Sequence, residues 1–208
     1  MNGRNLEERV FRLLMLLSAL LVLGSLFALL AIVVLRGISA LSISMITETP
    51  TGGYYFGKGG GILNAIVGSL YLASGATALA FLVSLPTALY LSEYAAKSRT
   101  ANLVRLCLDV LWGVPSIVYG AFAFTIMLYF SARASLFWGI ITVTLLVFPI
   151  MTRAMDEAIR IVPSRLKEGS YALGSTRLET ATKVVARQAM PGILTAILLA
   201  FGRGIGDA

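Results

Sequence analysis

Residues 62–92 read "ILNAIVGSLYLASGATALAFLVSLPTALYLS", a stretch without a single charge and longer than a bilayer requires. About 20 apolar residues suffice to carry a helix across the hydrocarbon core. Ala76, Ala80, Ser84 and Ala88 recur every four residues within it, so they line one helix face. Small residues in that spacing let helix backbones approach closely in lipid, where tight packing has to replace the hydrophobic effect as the cause of association. The stretch therefore specifies a membrane helix packed against other helices, with a kink expected at Pro86.

The rest of the 208-residue chain agrees with that reading, being 58% hydrophobic and 13% charged with a mean hydropathy of +0.86. Leu13 to Leu35 holds no charge and predicts a first span. A cleaved signal peptide would need a shorter apolar core and a small-residue cleavage site, so the segment is expected to be a signal anchor. Val110 to Phe130 and Ala134 to Thr152 predict the third and fourth spans, and Pro191 to Ala208 begins a fifth. The fold class expected is an all-α polytopic bundle of about five transmembrane helices. Its organisation is a tail, first helix and external loop over 1–61, followed by a polytopic membrane domain over 62–208.

Lys and Arg in the loops set the orientation. One side carries Arg4, Arg9, Arg12, Lys97, Arg99, Arg105 and the seven cations of residues 153–190; the other carries Arg36, Lys58 and Arg133. The N-terminus and residues 153–190 are thus expected in the cytoplasm. The same distribution accounts for the formal charge of +7 without nucleic acid, for which no aromatic-basic platform exists.

Catalytic chemistry has little to work with. The chain has no histidine and one cysteine, Cys107, so no Ser-His triad, HExxH site or internal disulfide can form, and neither a metal nor a cofactor is expected. "GGYYFGK" at Gly52–Lys58 matches the start of a phosphate-binding loop, but Gly59 stands where a magnesium-binding hydroxyl belongs, and the segment is expected outside the cytoplasm. An enzyme, or an ATPase site within this chain, is not expected.

Two segments carry functional signals. "WGVPSIVYG" places Gly113, Pro115 and Gly120 close together in the third span, which predicts either a broken helix beside a transport route or an ordinary proline kink. Between residues 153 and 192, Pro163 starts and Gly174 stops a short helix near Ser164 to Leu173, and Thr176 with Glu179 forms a capping box for the next. That short helix suits either the membrane surface or a docking role. Arg203 and Asp207 lie four residues apart inside the last apolar run. They either serve an anion route or pair with each other to lower their insertion cost.

Glu168, Gly174 and the run to Pro191 resemble the EAA loop of ABC importer permeases, with Gly169 and Ser170 in place of its alanines and Val184 at its isoleucine. Ala186 and Arg187 replace its closing Leu and Pro. "GVPSIVYG", "FPIMTRAMDEAIRIVP", "ALGSTR" and "MPGILTAILLAFGRGIGDA" extend the resemblance to permeases of the phosphate-specific transport family, PstA subunit type, over roughly residues 58–208. The resemblance implies a type I importer permease of six helices, of which the sixth would follow Ala208, so the sequence is similar to such a permease cut short. Its implied partners are a second homologous permease, an ATP-binding cassette ATPase dimer, an external phosphate-binding protein and membrane lipid. It assigns Glu168 and Gly174 to ATPase docking and places Arg153, Arg203 and Asp207 on the substrate pathway. Permeases for another anion or solute share the EAA loop, and a truncated subunit without transport activity is a further alternative.

Overall fold

The computed structural model describes residues 3–39, 41–50 and 60–207, with side chains from Glu7 onward. Nine helices occur among the described residues: α1 (Gly3–Gly37), α2 (Ile43–Thr47), α3 (Leu63–Leu89), α4 (Arg99–Trp112), α5 (Ser116–Tyr129), α6 (Leu136–Arg160), α7 (Ser164–Ala172), α8 (Arg177–Gln188) and α9 (Met190–Asp207). The chain divides into two units, Met1–Asn64 and Ala65–Ala208. The phosphate-loop-like Gly52–Lys58 lies outside the described residues.

In the first unit, α1 contains the whole expected span Leu13 to Leu35. Ser18 and Ser25 fold their hydroxyls back onto the carbonyls of Leu14 and Val22, each at 2.9 Å, which satisfies them where lipid offers no partner. Ser42 caps α2 by accepting the Met45 amide at 3.1 Å.

The second unit is built around α6. Val143, Val147, Met151, Met155 and Ile159 form its buried stripe, and they pack with Ala76, Ala80 and Ala88 of α3 and with Ile193, Ala196 and Ala200 of α9. The four small residues expected to form a contact stripe, Ala76, Ala80, Ser84 and Ala88, are all fully buried. Close approach is also evident at Gly139, where an added Cβ would sit 3.4 Å from the Leu72 side chain, and at Gly192, where it would collide with the Ala158 methyl. Helix α3 runs through Pro86 and ends in a single π turn, Tyr90–Tyr94, closed by the Ala95 amide on the Tyr90 carbonyl at 3.0 Å.

Three helices, α1, α3 with its π turn, and α6, are long and apolar enough to cross a membrane. Counting each bent pair as one broken span, α4 with α5 at 98° and α8 with α9 at 72°, gives up to five among the described residues. Of the two readings of the third span, a broken helix or an ordinary kink, the structure takes the first, with a sharp break at Gly113–Pro115, and most of residues 93–109, read as a loop from the sequence, is the helix α4. Pro115 explains the break: it has no N–H to continue the helical ladder, and its ring drives Val114 out of the helical region. Tyr119 bridges the gap by donating to the Leu111 carbonyl at 2.8 Å. The second bend falls at Ala189, the C-cap of α8, and Pro191 sits in the first turn of α9, where a missing N–H is tolerated.

Candidate functional site

Charged residues of unit two gather where α3, α4 and α6 meet. Asp156 on α6 is fully buried and accepts hydrogen bonds from three elements. Arg105 of α4 grips it with two bonds, Nε to Oδ2 at 2.8 Å and Nη2 to Oδ1 at 3.1 Å, while Ser92 of the π turn donates to Oδ1 at 2.7 Å. Arg105 Nη2 also donates to the Leu91 carbonyl at 2.9 Å. A helix end leaves its last carbonyls without partners, and here a buried guanidinium takes one of them.

Arg153, one turn before Asp156, is wrapped in carboxylates. Its Nε meets Asp109 at 2.7 Å, Nη1 meets Asp156 at 3.3 Å and Nη2 meets Glu157 at 3.2 Å. All three guanidinium nitrogens are engaged. Of the three partners Glu157 is the most exposed, at 61% of its side chain, so it is the easiest to displace.

The helix α7 covers the region expected between Pro163 and Gly174, and Gly174 has φ +80°. Only glycine takes that backbone without strain, which ends the helix. The Thr176 capping box is present: Thr176 Oγ1 accepts the Glu179 amide at 3.3 Å, and Glu179 Oε2 accepts the Thr176 amide at 3.1 Å. Those bonds, with Lys183 at 3.1 Å, favour the ionised carboxylate and hold the Glu179 pKa down to about 2. Helix α8 contains a second π turn, Thr180–Val185, where buried Thr180 and Ser170 of α7 share a hydrogen bond of 2.9 Å. Between α7 and α8 lies an open groove of about 510 Å³, lined by Arg165, Leu166, Gly169, Leu173 and Val184 among others. Glu168 is exposed on α7 beside it.

Arg203 and Asp207 form the pair that their spacing predicts, Nε to Oδ2 at 3.2 Å on α9. Among the described residues, the two Nη groups of Arg203 have no hydrogen-bond partner. Arg203 lines a cavity of about 420 Å³ with Trp112, Ile150, Leu198, Leu199 and Gly202, bounded by α4, α6 and α9. The site residues expected from sequence thus fall in three places: Arg203 at this cavity with Asp207 paired to it, Arg153 in the carboxylate cluster, and Glu168 on α7 with Gly174 just past its end.

Sequence reasoning passed over Arg105, Asp156, Glu93 and Lys167. A signal was available for the first two. Arg105 and Asp109 stand at i, i+4 on one helix, and Arg153, Asp156 and Glu157 at i, i+3, i+4 on another, so each set shares a face and the charges are complementary. The partners Glu93 and Lys167 are 74 residues apart, and no local pattern joins them.

The family model described as the binding-protein-dependent transport system inner membrane component matches residues 81–208. A phosphate transport system permease protein PstA of Yersinia pestis is 36% identical over 200 residues, covering 94% of this chain and 67% of that protein. The phosphate transport system permease protein PstA 1 of Mycobacterium tuberculosis is 40% identical over 149 residues, 71% of this chain and 49% of the relative. A probable ABC transporter permease protein, YqgI of Bacillus subtilis, is 31% identical over 92% of this chain and 65% of its own length. The chain spans about half to two thirds of the length of these curated relatives. Among solved structures, the methionine ABC transporter MetNI in inward-facing conformations superposes with a TM-score of 0.63 at 20% identity, over 70% of each chain.

Proposed function

This chain belongs to the family of binding-protein-dependent transport system inner membrane components, and on that premise we propose that it is a permease subunit of an ATP-driven phosphate importer. Members of the family are transport components of the cell membrane, and the multi-pass helical structure agrees with that placement. In this reading the chain forms half of a translocation route with a second, similar permease. An ATPase dimer docks below and an external binding protein delivers phosphate from above. The N-terminus and α7 lie in the cytoplasm, as the thirteen cations on that side suggest. Energy comes from the separate ATPase subunits.

The observation that supports the phosphate reading most is Arg203. It sits in a helix whose only other charge is its partner Asp207, with both Nη groups unpaired among the described residues, and it lines a cavity. Phosphate is a strongly hydrated anion, and a guanidinium fork supplies both the charge and the paired donors that replace its water. Asp207 holds Nε and leaves that fork directed outward. Arg153 joins the pathway in this account only by exchanging a carboxylate, with Glu157 the partner most easily released. Glu168 and the α7–α8 groove serve the ATPase.

The test is uptake of labelled phosphate by bacteria lacking their own phosphate permease and supplied with the full-length permease containing this chain and its partner subunits. The account expects uptake that unlabelled phosphate abolishes and that sulfate and molybdate leave intact. Competition by another anion would reassign the cargo. Reporter fusions after Lys97 and Arg177 should report cytoplasm and one after Lys58 the exterior; the reverse pattern would invert the topology.

A further inference from the structure

One buried ion pair lies outside every site described so far. Glu93, the fourth residue of the π turn that ends α3, has a side chain only 5% exposed and, among the described residues, a single partner, Lys167 Nζ of α7, at 2.5 Å. Beside it, Tyr94 stacks on Tyr90 with ring centroids 5.9 Å apart, and the Arg177 guanidinium of α8 lies over the Tyr94 ring at 4.9 Å. The two residues preceding Glu93 face the other way along the same turn: Ser92 holds Asp156 of α6 and the Leu91 carbonyl holds Arg105 of α4. Five consecutive residues of π helix therefore hold four other helices.

That geometry has a cause. A π turn inserts one residue into the helical ladder and swings the following side chains out of register. In a continuous α-helix, Ser92 and Glu93 would project about 100° apart at fixed phase. The π turn shifts the phase of both residues relative to the rest of α3, and in this phase Ser92 meets the α4–α6 charge cluster and Glu93 meets α7. The Glu93 side chain is almost wholly removed from water and that of Lys167 is 22% exposed, so salt screens the pair less than a surface pair. One turn further along, α7 is fastened to α8 by the Ser170–Thr180 hydrogen bond. Among the described residues, a displacement of α7 thus has one charged connection to the membrane helices, through Glu93.

We propose that the Glu93–Lys167 ion pair is the strut that makes α7 move as one body with the end of α3 and, through Ser92 and Leu91, with the Arg105–Asp156 cluster joining α4 to α6. Glu93 and Lys167 are positioning residues: they touch neither cargo nor nucleotide. The proposal rests on the permease reading, because it needs an ATPase acting on α7. It goes beyond that reading by stating which side chains carry the motion upward.

The test uses the full-length permease containing this chain, assembled with its partner subunits and ATPase in proteoliposomes. Glu93→Gln and Lys167→Met are expected to keep ATPase co-purification and ATP hydrolysis near the parent, while phosphate taken up per ATP falls about tenfold, within the range of known site-to-site couplings. The double variant should fall no further than either single one, since both remove the same connection. A second measurement needs no cargo. Spin labels at native Cys107 on α4, which is exposed, and at Ala172→Cys on α7 report their separation, with the partner subunits free of cysteine. Through the ATP cycle that distance should stay single and constant in the parent and become broad or nucleotide-dependent in Glu93→Gln. An unchanged uptake-to-ATP ratio in Glu93→Gln, a double variant that loses the product of the two single losses, or a parent distance as variable as the variant's would each overturn the strut. A parent that imports a different solute would remove the phosphate reading alone, and the spin-label distance would still judge the strut.

Discussion

Replacing Arg105 with Met leaves the carboxylate of Asp156 fully buried with two remaining donors, Ser92 at 2.7 Å and Arg153 at the longer 3.3 Å. Two charge-assisted bonds to Asp156 and the bond to the Leu91 carbonyl disappear together. Breaking one side of a buried pair destabilises by roughly 3–5 kcal/mol, because a desolvated charge remains behind. The two surviving donors place this case near the lower end, about 3 kcal/mol. Asp156→Met leaves a different deficit: Arg153 keeps Asp109 and Glu157, whereas Arg105 keeps only the Leu91 carbonyl and Asn102 at 3.3 Å. When Arg105→Met and Asp156→Met are combined, no buried charge is stranded between α4 and α6, and the loss should shrink to about 1–2 kcal/mol. The assay is SDS titration in mixed micelles followed by tryptophan fluorescence. Trp112 ends α4 and Trp138 lies on α6, so the signal follows the separation of those two helices. A single Arg105→Met variant within about 1 kcal/mol of the parent, or a double variant as unstable as the sum of the singles, would refute the claim that this pair joins the two helices.

Gly174 at φ +80° has open space around its missing Cβ, so its substitutions act through the backbone alone. Gly174→Ala should destabilise the end of α7 by roughly 1–2 kcal/mol, with Gly174→Val worse and Gly174→Asn milder; protection of the α7 amides from hydrogen exchange and ATPase co-purification should fall in the same order. Gly192→Ala drives a methyl into that of Ala158 and should cost about 1–3 kcal/mol, whereas Gly204→Ala, 3.5 Å from Val143, should be tolerated; thermal unfolding in detergent compares them. Glu179 titrates at about 2 in the folded protein, below its ordinary 4.5, so its capping contribution is complete above that ordinary value and fades as pH falls toward 2. Carboxyl NMR should find this low pKa and, in Thr176→Val, a return toward 4.5. Glu179→Gln should keep the cap and lose the pH dependence.

Much of this arrangement was legible in the chain because the physics behind it is local. The Ala76–Ala80–Ser84–Ala88 stripe, the left-handed Gly174, the Thr176–Glu179 box and the Arg203–Asp207 pair each depend on residues within about four of one another, and each is present. The interruption at Gly113–Pro115 was legible as an interruption, but its 98° size was not, because Tyr119 and the packing of α4 on α6 decide it. Arg153 was read through the family resemblance as a pathway residue. Its three carboxylate partners come from α4 and from its own helix, and the contribution of Asp109 needs the tertiary fold to be seen. The π turns left no mark in composition. A residue inserted into a helical ladder is stabilised by its neighbours in space, here Asp156, Arg105 and Lys167, and those lie far away along the chain.

Phosphate accumulation driven by ATP in proteoliposomes tests the central claim most directly, using the full-length permease containing this chain with its partner permease, ATPase and binding protein. The account predicts labelled phosphate inside the vesicles only with ATP, lost in Arg203→Ala, kept in part in Arg203→Lys, and not recovered when Asp207→Ala is added to Arg203→Ala. Recovery in that double variant would reduce the Arg203–Asp207 pair to mutual neutralisation. Equal phosphate uptake with and without ATP, or none while another anion accumulates, would contradict an ATP-driven phosphate permease.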